Sequence, residues 1–138
     1  MDVRRAIRFQ AVYVQLTFKL LPEDFAIARL DGGAPLPAWP RGDFVSITRT
    51  PDELSIVCRA DAVPSTVRAD RGWRCLALRG PFALDETGVA AEFTRVLAAA
   101  GVSVFVVATF DTDYVLVPDR LIERAVTALR AAAHAVQT

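Results

Sequence analysis

The chain has 138 residues, 53% of them apolar and 23% charged, enough for one globular unit or for two small half-domains sharing a core. Its 16 basic and 16 acidic side chains leave no net charge, which argues against nucleic acid as the main partner, because phosphate binding needs a basic excess on one face. The longest charge-free stretch, Val96 to Phe110, is interrupted by Gly101 and falls short of the ~20 residues of a membrane helix, so no membrane association is expected.

Arg4, Arg5 and Arg8 form a small basic cluster that reads as a solvated terminus. Gln10, Gln15 and Lys19 break up any apolar run of the kind a signal peptide carries, so the expected location is the cytoplasm. From Val14 to Leu20, the apolar residues Val14, Leu16, Phe18 and Leu20 alternate with Gln15, Thr17 and Lys19, the period of a half-buried strand. Pro22-Glu23-Asp24 is turn material, and Phe25 to Leu30 reads as a second strand. Residues 31–43 are rich in Gly and Pro, a loop with Trp39 as its one large anchor. Phe44 to Thr48 and Leu54 to Cys58 are strand-like and joined through Thr50-Pro51-Asp52-Glu53; a further loop runs through Pro64 to Gly72. Cys58 and Cys75 show no metal-ligand spacing and lie in apolar runs, where free thiols behave as small buried hydrophobes. The only histidine, His134, lies in the final few residues.

The second half is more regular. Trp73 to Leu78 reads as a strand ended by Gly80-Pro81, and a helix follows from about Val89 to Ala100. Val89, Phe93, Val96, Leu97 and Ala100 mark its buried face, with Glu92 and Arg95 opposite; Thr87 suits its N-cap and Gly101 its end. Val102 to Phe110 reads as a strand apolar on both faces, each of which should be covered. After a turn, Tyr114 to Val117 is its hairpin partner, and Pro118-Asp119 opens a last helix striped by Leu121, Ile122, Ala125, Val126 and Leu129. The order strand, helix, strand, strand, helix is that of a ferredoxin-like βαββαβ unit lacking its closing strand. The first half has a strand to spare at Val14 to Leu20 and no convincing helix. An α+β fold is therefore expected, with that N-terminal strand paired into the sheet containing Val102 to Phe110.

The run Thr109-Phe110-Asp111-Thr112-Asp113-Tyr114 carries the main functional signal. Asp and Thr suit a tight turn, but turn chemistry asks for no pair of acids. Taken alone, the pair fits a solvated hairpin tip.

This run, followed by Leu116-Val117, resembles the ACT domains, small regulatory modules that bind amino acids. More narrowly the chain is similar to the two-ACT bacterial proteins related to the CASTOR arginine sensors. Phe44-Val45-Ser46-Ile47-Thr48-Arg49-Thr50 with Glu53 to Cys58 resembles their degenerate first repeat, and Gly80-Pro81 with Thr87-Gly88 the entry to the first helix of the second. The resemblance implies a tandem ACT fold, with a degenerate half over residues 14–65 and a fuller one over 66–138. It implies an amino acid, possibly arginine or lysine, held between ACT units by Ala83, Glu86, Thr87, Gly88 and Val89 before the helix. Thr109, Phe110, Asp111 and Asp113 would join them at the end of the long strand, and Ser103 and Val104 would come from the facing unit. One chain carries only one full set, being half the length of the sensors, so the resemblance implies a homodimer. No cofactor or metal is implied.

The chemistry of these residue types agrees. A helix N-terminus suits a ligand carboxylate, and Gly88 leaves the approach open. Glu86, Asp111 and Asp113 can receive an ammonium or a cationic tail, and Phe110 can supply an apolar or cation–π wall. Two other readings stand beside this one: a ligand-free module that docks on a partner enzyme, and a small enzyme using Asp111 and Asp113 as acid and base. Against the last, the sequence shows no nucleophile elbow, phosphate loop or metal cluster.

Overall fold

Ten residues, Ala69–Leu78, organise the molecule. In the computed structural model, which describes residues 15–138, they form the fifth strand, β5, on which both halves meet. Before it come β1 (Thr17–Leu20), β2 (Phe25–Asp31), β3 (Ser46–Arg49) and β4 (Glu53–Arg59); after it come β6 (Phe105–Ala108), β7 (Asp113–Pro118) and β8 (Ala135–Gln137). Helix α1 (Val89–Ala99) connects β5 to β6, and α2 (Ile122–Ala131) connects β7 to β8. Val14 and the arginines at 4, 5 and 8 lie outside the described residues. No helix among the described residues is long and apolar enough to cross a membrane.

One edge of β5 serves two partners. Its first half pairs antiparallel with β2, and its end pairs with β1, Phe18 facing Leu78. Gly72, at φ 83°, is the extra residue of a bulge where Phe25 faces Trp73 but Ala26 faces Arg71. The other edge pairs with β7, which carries β6 beyond it. On the far side, β8 runs parallel to β1, with Phe18 opposite Val136. The second half thus reads β6–β7–β5–β1–β8 across the sheet, with a strand of the first half lodged inside it. This is an α+β tandem of ferredoxin-like halves with a strand exchanged between them, β1 being the described part of the spare strand read at 14–20. The first half is degenerate: among the described residues its only helical element is the 3-10 turn Ala60–Ala62.

Several features differ from the sequence reading. A closing strand does exist, the three-residue β8. The apolar run 102–110 is extended as a strand only over Phe105–Ala108; Val102 turns into the core and Phe110 stands 78% exposed. Nor are both faces of that strand covered, since Val106 and Ala108 are exposed on this edge. Finally, Glu92 is not on the outer face of α1: its side chain is 15% exposed and meets the buried His134 at 2.7 Å.

Alternation in β1 sends Leu16 and Phe18 under the helices and Lys19 to the other face. There Phe18 meets Phe93 edge-on at 6.2 Å, among Leu97, Val115, Val117 and Leu129. A second cluster around Leu54, Ile56 and Cys58 serves the first half. A third joins the halves, with Phe25, Val57, Cys75 and Leu116 buried and Phe44 stacked on Tyr114 at 4.1 Å. Both cysteines are free; burial raises the Cys58 thiol and pushes Cys75 up to about 12, so neither is poised to react.

The two helices end alike. In α1, the N–H of Val102 donates to the Leu97 carbonyl at 2.9 Å past Gly101 at φ 73°; in α2, His134 N–H donates to Leu129 at 3.0 Å past Ala133 at φ 68°. The second corner uses alanine where glycine is at home, and it turns His134 inward.

Candidate functional site

The turn between β6 and β7 is closed by its threonines. Thr109 N–H donates to the Thr112 carbonyl at 2.8 Å, as does the Thr109 hydroxyl at 2.9 Å, while Thr112 N–H donates to that hydroxyl at 3.2 Å. The Thr112 hydroxyl then donates to Leu78 C=O at 2.7 Å, tying the turn to the end of β5. Asp113 begins β7 opposite Ala108. The turn therefore leaves the carboxylates of Asp111 and Asp113 available for other chemistry.

The segment leaving β5 folds over the same turn. Phe82 N–H donates to the Asp111 carbonyl at 2.7 Å, and Gly80 packs so closely that a Cβ there would lie 2.7 Å from that oxygen. The chain then passes Ala83, Leu84 and Glu86 and enters α1 at Gly88. Gly88, at φ 87°, occupies the N-cap position that the sequence suggested for Thr87; Glu92 N–H donates to its carbonyl at 3.0 Å. The N–H groups of Val89, Ala90 and Ala91 precede the first intrahelical donor, so this end carries the partial positive charge of a helix N-terminus.

Between turn and helix lies an open groove of about 270 Å³. Its lining includes Ala83, Glu86, Gly88, Val89, Thr109, Phe110, Asp111 and Asp113 from the sequence-derived set, together with Phe82, Leu84, Ala90, Ala91, Ala108 and Thr112. These additions follow from chain neighbourhood: two small alanines in the first helical turn, and the segment that Gly80 lets down onto Asp111. Thr87 is exposed beside the groove and does not line it. Val104 is half-buried against the core of the second half. Ser103 lines a different depression, with Trp73, Asp119 and Arg120. Within one copy, then, eleven candidate residues fall into one groove of eight and three outliers.

Among the described residues lining the groove, three are acids and none is basic. Glu86 and Asp111 are exposed; Asp113 is half-buried, and burial pushes its carboxyl above its ordinary value. A cation beside Asp113 would restore the favourable environment that burial removed. Phe110 and Leu84, 78% and 73% exposed, form apolar lips on the same opening.

Residues 68–131 match the family model of the ACT domain, and residues 23–66 match the model of an N-terminal domain of a separate family. No curated protein matched the chain. Among solved structures, protein Atu0741 from Agobacterium tumefaciens is 44% identical over 90% of this chain and 93% of its own, with a TM-score of 0.85. VC0802 from Vibrio cholerae, a protein of unknown function described as a possible transport protein, is 21% identical over 86% of this chain and 91% of its own, with a TM-score of 0.72. The regulatory subunit of aspartate kinase from Thermus flavus shares the fold at 14% identity, over 87% of this chain and 97% of its own, with a TM-score of 0.58. Residues 68–131 of the chain thus match the ACT domain, within a fold shared over nearly the whole length with the Agobacterium protein.

Proposed function

We propose that this protein is a regulatory amino-acid sensor that binds a free cationic amino acid, arginine or lysine, and performs no chemistry on it. The observation that carries the proposal is the pairing, in one groove, of a helix N-terminus with a half-buried carboxylate and two further acids. The ligand's α-carboxylate meets the N–H groups of Val89 to Ala91, and its cationic groups meet Asp113, Asp111 and Glu86. Phe110 flanks the aliphatic stem. The likeness to a kinase regulatory subunit supports a regulatory rather than a catalytic role. So does the exposure of Asp111, which lacks the burial that tunes a general acid or base.

We read the chain as two ACT halves, residues 14–65 and 66–138, acting in the cytoplasm as a homodimer. Two free, buried cysteines suit a reducing compartment. Among the described residues the β6 edge has β7 as its one strand partner and Val106 is exposed; a second copy docked there would supply Ser103 and Val104 to the facing groove. A thermal-shift screen of the twenty amino acids, then calorimetry, tests this reading. Asp113→Ala should weaken binding of the best ligand by ~2–5 kcal/mol, more than tenfold. Equal affinities would reduce Asp113 to a strand-end residue. Absence of binding by any amino acid would favour the second reading, a ligand-free docking module, for which the exposed lips Leu84 and Phe110 speak.

A further inference from the structure

Among the described residues His134 is the one buried polar side chain, 3% exposed, and it is placed where the two halves interlock. Its Nδ1 receives the backbone N–H of Leu16, just ahead of β1, at 3.0 Å. Its Nε2 lies 2.7 Å from Oε2 of Glu92 on α1, and its ring meets Phe18 of β1 edge-on at 6.4 Å. A backbone N–H can only donate, so Nδ1 presents its lone pair to Leu16, and the ring proton sits on Nε2, donated to Glu92. In this fold the imidazole is neutral, with both nitrogens engaged.

A second proton can enter only at Nδ1. There it would face the Leu16 N–H, donor against donor at 3.0 Å, and the bond to the strand would be lost. The bond to Glu92 would strengthen instead, as an ion pair. The charged groups around the ring favour this division. On α1, Glu92 is itself held by Arg95 at 2.9 Å. On α2, Arg130 donates to the Val136 carbonyl at 2.7 Å, across the corner that carries His134. On β1, Lys19 lies on the opposite face of the sheet, so that strand brings no charge to the ring.

We infer that His134 is a proton-operated clasp on the exchanged strand: neutral, it holds the leading end of β1 in the sheet of the second half, and protonated it stays with Glu92 and releases that end. The release reaches both neighbours of β1. Ala135 N–H donates to the Leu16 carbonyl at 2.9 Å, and β8 has β1 as its only strand partner among the described residues. Through Glu92 the clasp also bears on α1, whose first turn opens on the groove. The inference does not depend on what the groove binds.

Two measurements on isotopically labelled full-length protein test it. The first is the ¹⁵N titration of the imidazole between about pH 8 and about pH 5.5, the span over which an imidazole ordinarily changes charge. The second is hydrogen exchange of the Leu16 and Ala135 amides, corrected for intrinsic pH dependence, with Val115 of β7 as reference. The expected result is an unprotonated Nδ1 at the higher pH. Leu16 and Ala135 protection should fall about tenfold as Nδ1 gains its proton, with a common midpoint, while Val115 is unchanged. In His134→Asn, which offers an oxygen acceptor and does not titrate, Leu16 protection should be the same at both pH values. The inference is overturned by a proton on Nδ1 at pH 8, by Leu16 protection that ignores the titration, or by an equal loss in the asparagine variant. If that variant does not fold, the shared or separate midpoints in the wild type decide the matter.

Discussion

Replacing Phe18 by alanine tests the strand exchange at its most buried point. The ring is 0% exposed, meets Phe93 at 6.2 Å and His134 at 6.4 Å, and is carried by the strand between β5 and β8. Truncating a buried phenylalanine costs ~3–5 kcal/mol, the removed transfer free energy plus the cavity left behind. The upper part of that range applies, because neighbours on three elements converge on the ring and β1 cannot collapse into the gap without losing register. Against a total stability of ~5–15 kcal/mol, this is a large fraction. For a chain of this size each kcal/mol moves Tm by ~3–4 °C, so Phe18→Ala should melt ~10–20 °C lower. Lys19→Ala, on the same strand but solvent-facing, should change Tm by less than ~2 °C. Differential scanning calorimetry of the three proteins reads both values. If Phe18→Ala shifted Tm no more than Lys19→Ala, β1 would be an accessory flap and the exchanged-strand architecture would be wrong.

Burial raises the Asp113 carboxyl, so folding favours its protonated form: the stabilisation is complete below the unfolded carboxylate range and is lost as pH rises through the folded value. Asp113→Asn should therefore raise the Tm of the ligand-free protein at pH 7 and leave it unchanged at pH 3; an equal shift at both would exclude a charge effect. Gly80→Ala places a Cβ 2.7 Å from the Asp111 carbonyl, a backbone atom that cannot swing aside. Urea unfolding should show a loss of ~1–3 kcal/mol, with Gly33→Ala, which meets nothing within 4 Å, as the silent control. Ala133→Gly relieves a left-handed alanine worth ~1–2 kcal/mol but adds ~0.5–1 kcal/mol of unfolded-chain entropy. A net gain of ~0.5–1 kcal/mol should appear as a higher urea midpoint at unchanged slope.

The sequence was most readable where one pattern repeated. Five apolar positions at three-four spacing placed α1 to within a residue of Val89–Ala99, and strict alternation marked Leu16 and Phe18 as core. It was least readable where a single residue decides. The β8 strand is three residues long, too short for any period to show, and follows a left-handed corner made by Ala133 rather than glycine. A reader of the sequence has no reason to turn the chain there. His134 was hidden for the same cause, since its burial depends on that corner and on Leu16, far away in sequence. The groove was legible because its residues come from two short segments with distinctive chemistry. Its depth was not, because that depends on how closely Gly80 lets Phe82 approach Asp111.

Leu16 and His134 are 118 residues apart. With synthesis at about 5–20 residues per second, the corner that receives the exchanged strand leaves the ribosome roughly 6–24 s after the strand itself. During that wait β5 can cover one edge of β1 and α1 the ring of Phe18, but the other edge of the strand has nothing to pair with. A nascent chain therefore exposes an apolar strand edge whose proper neighbour has not yet been made. On a polysome, the β8 segment of the chain ahead is available sooner than its own. Closing across two chains would satisfy the same hydrogen bonds and produce a swapped pair. Slow translation of the second half would then favour intertwined dimers, a form of assembly written into strand order rather than into any surface patch.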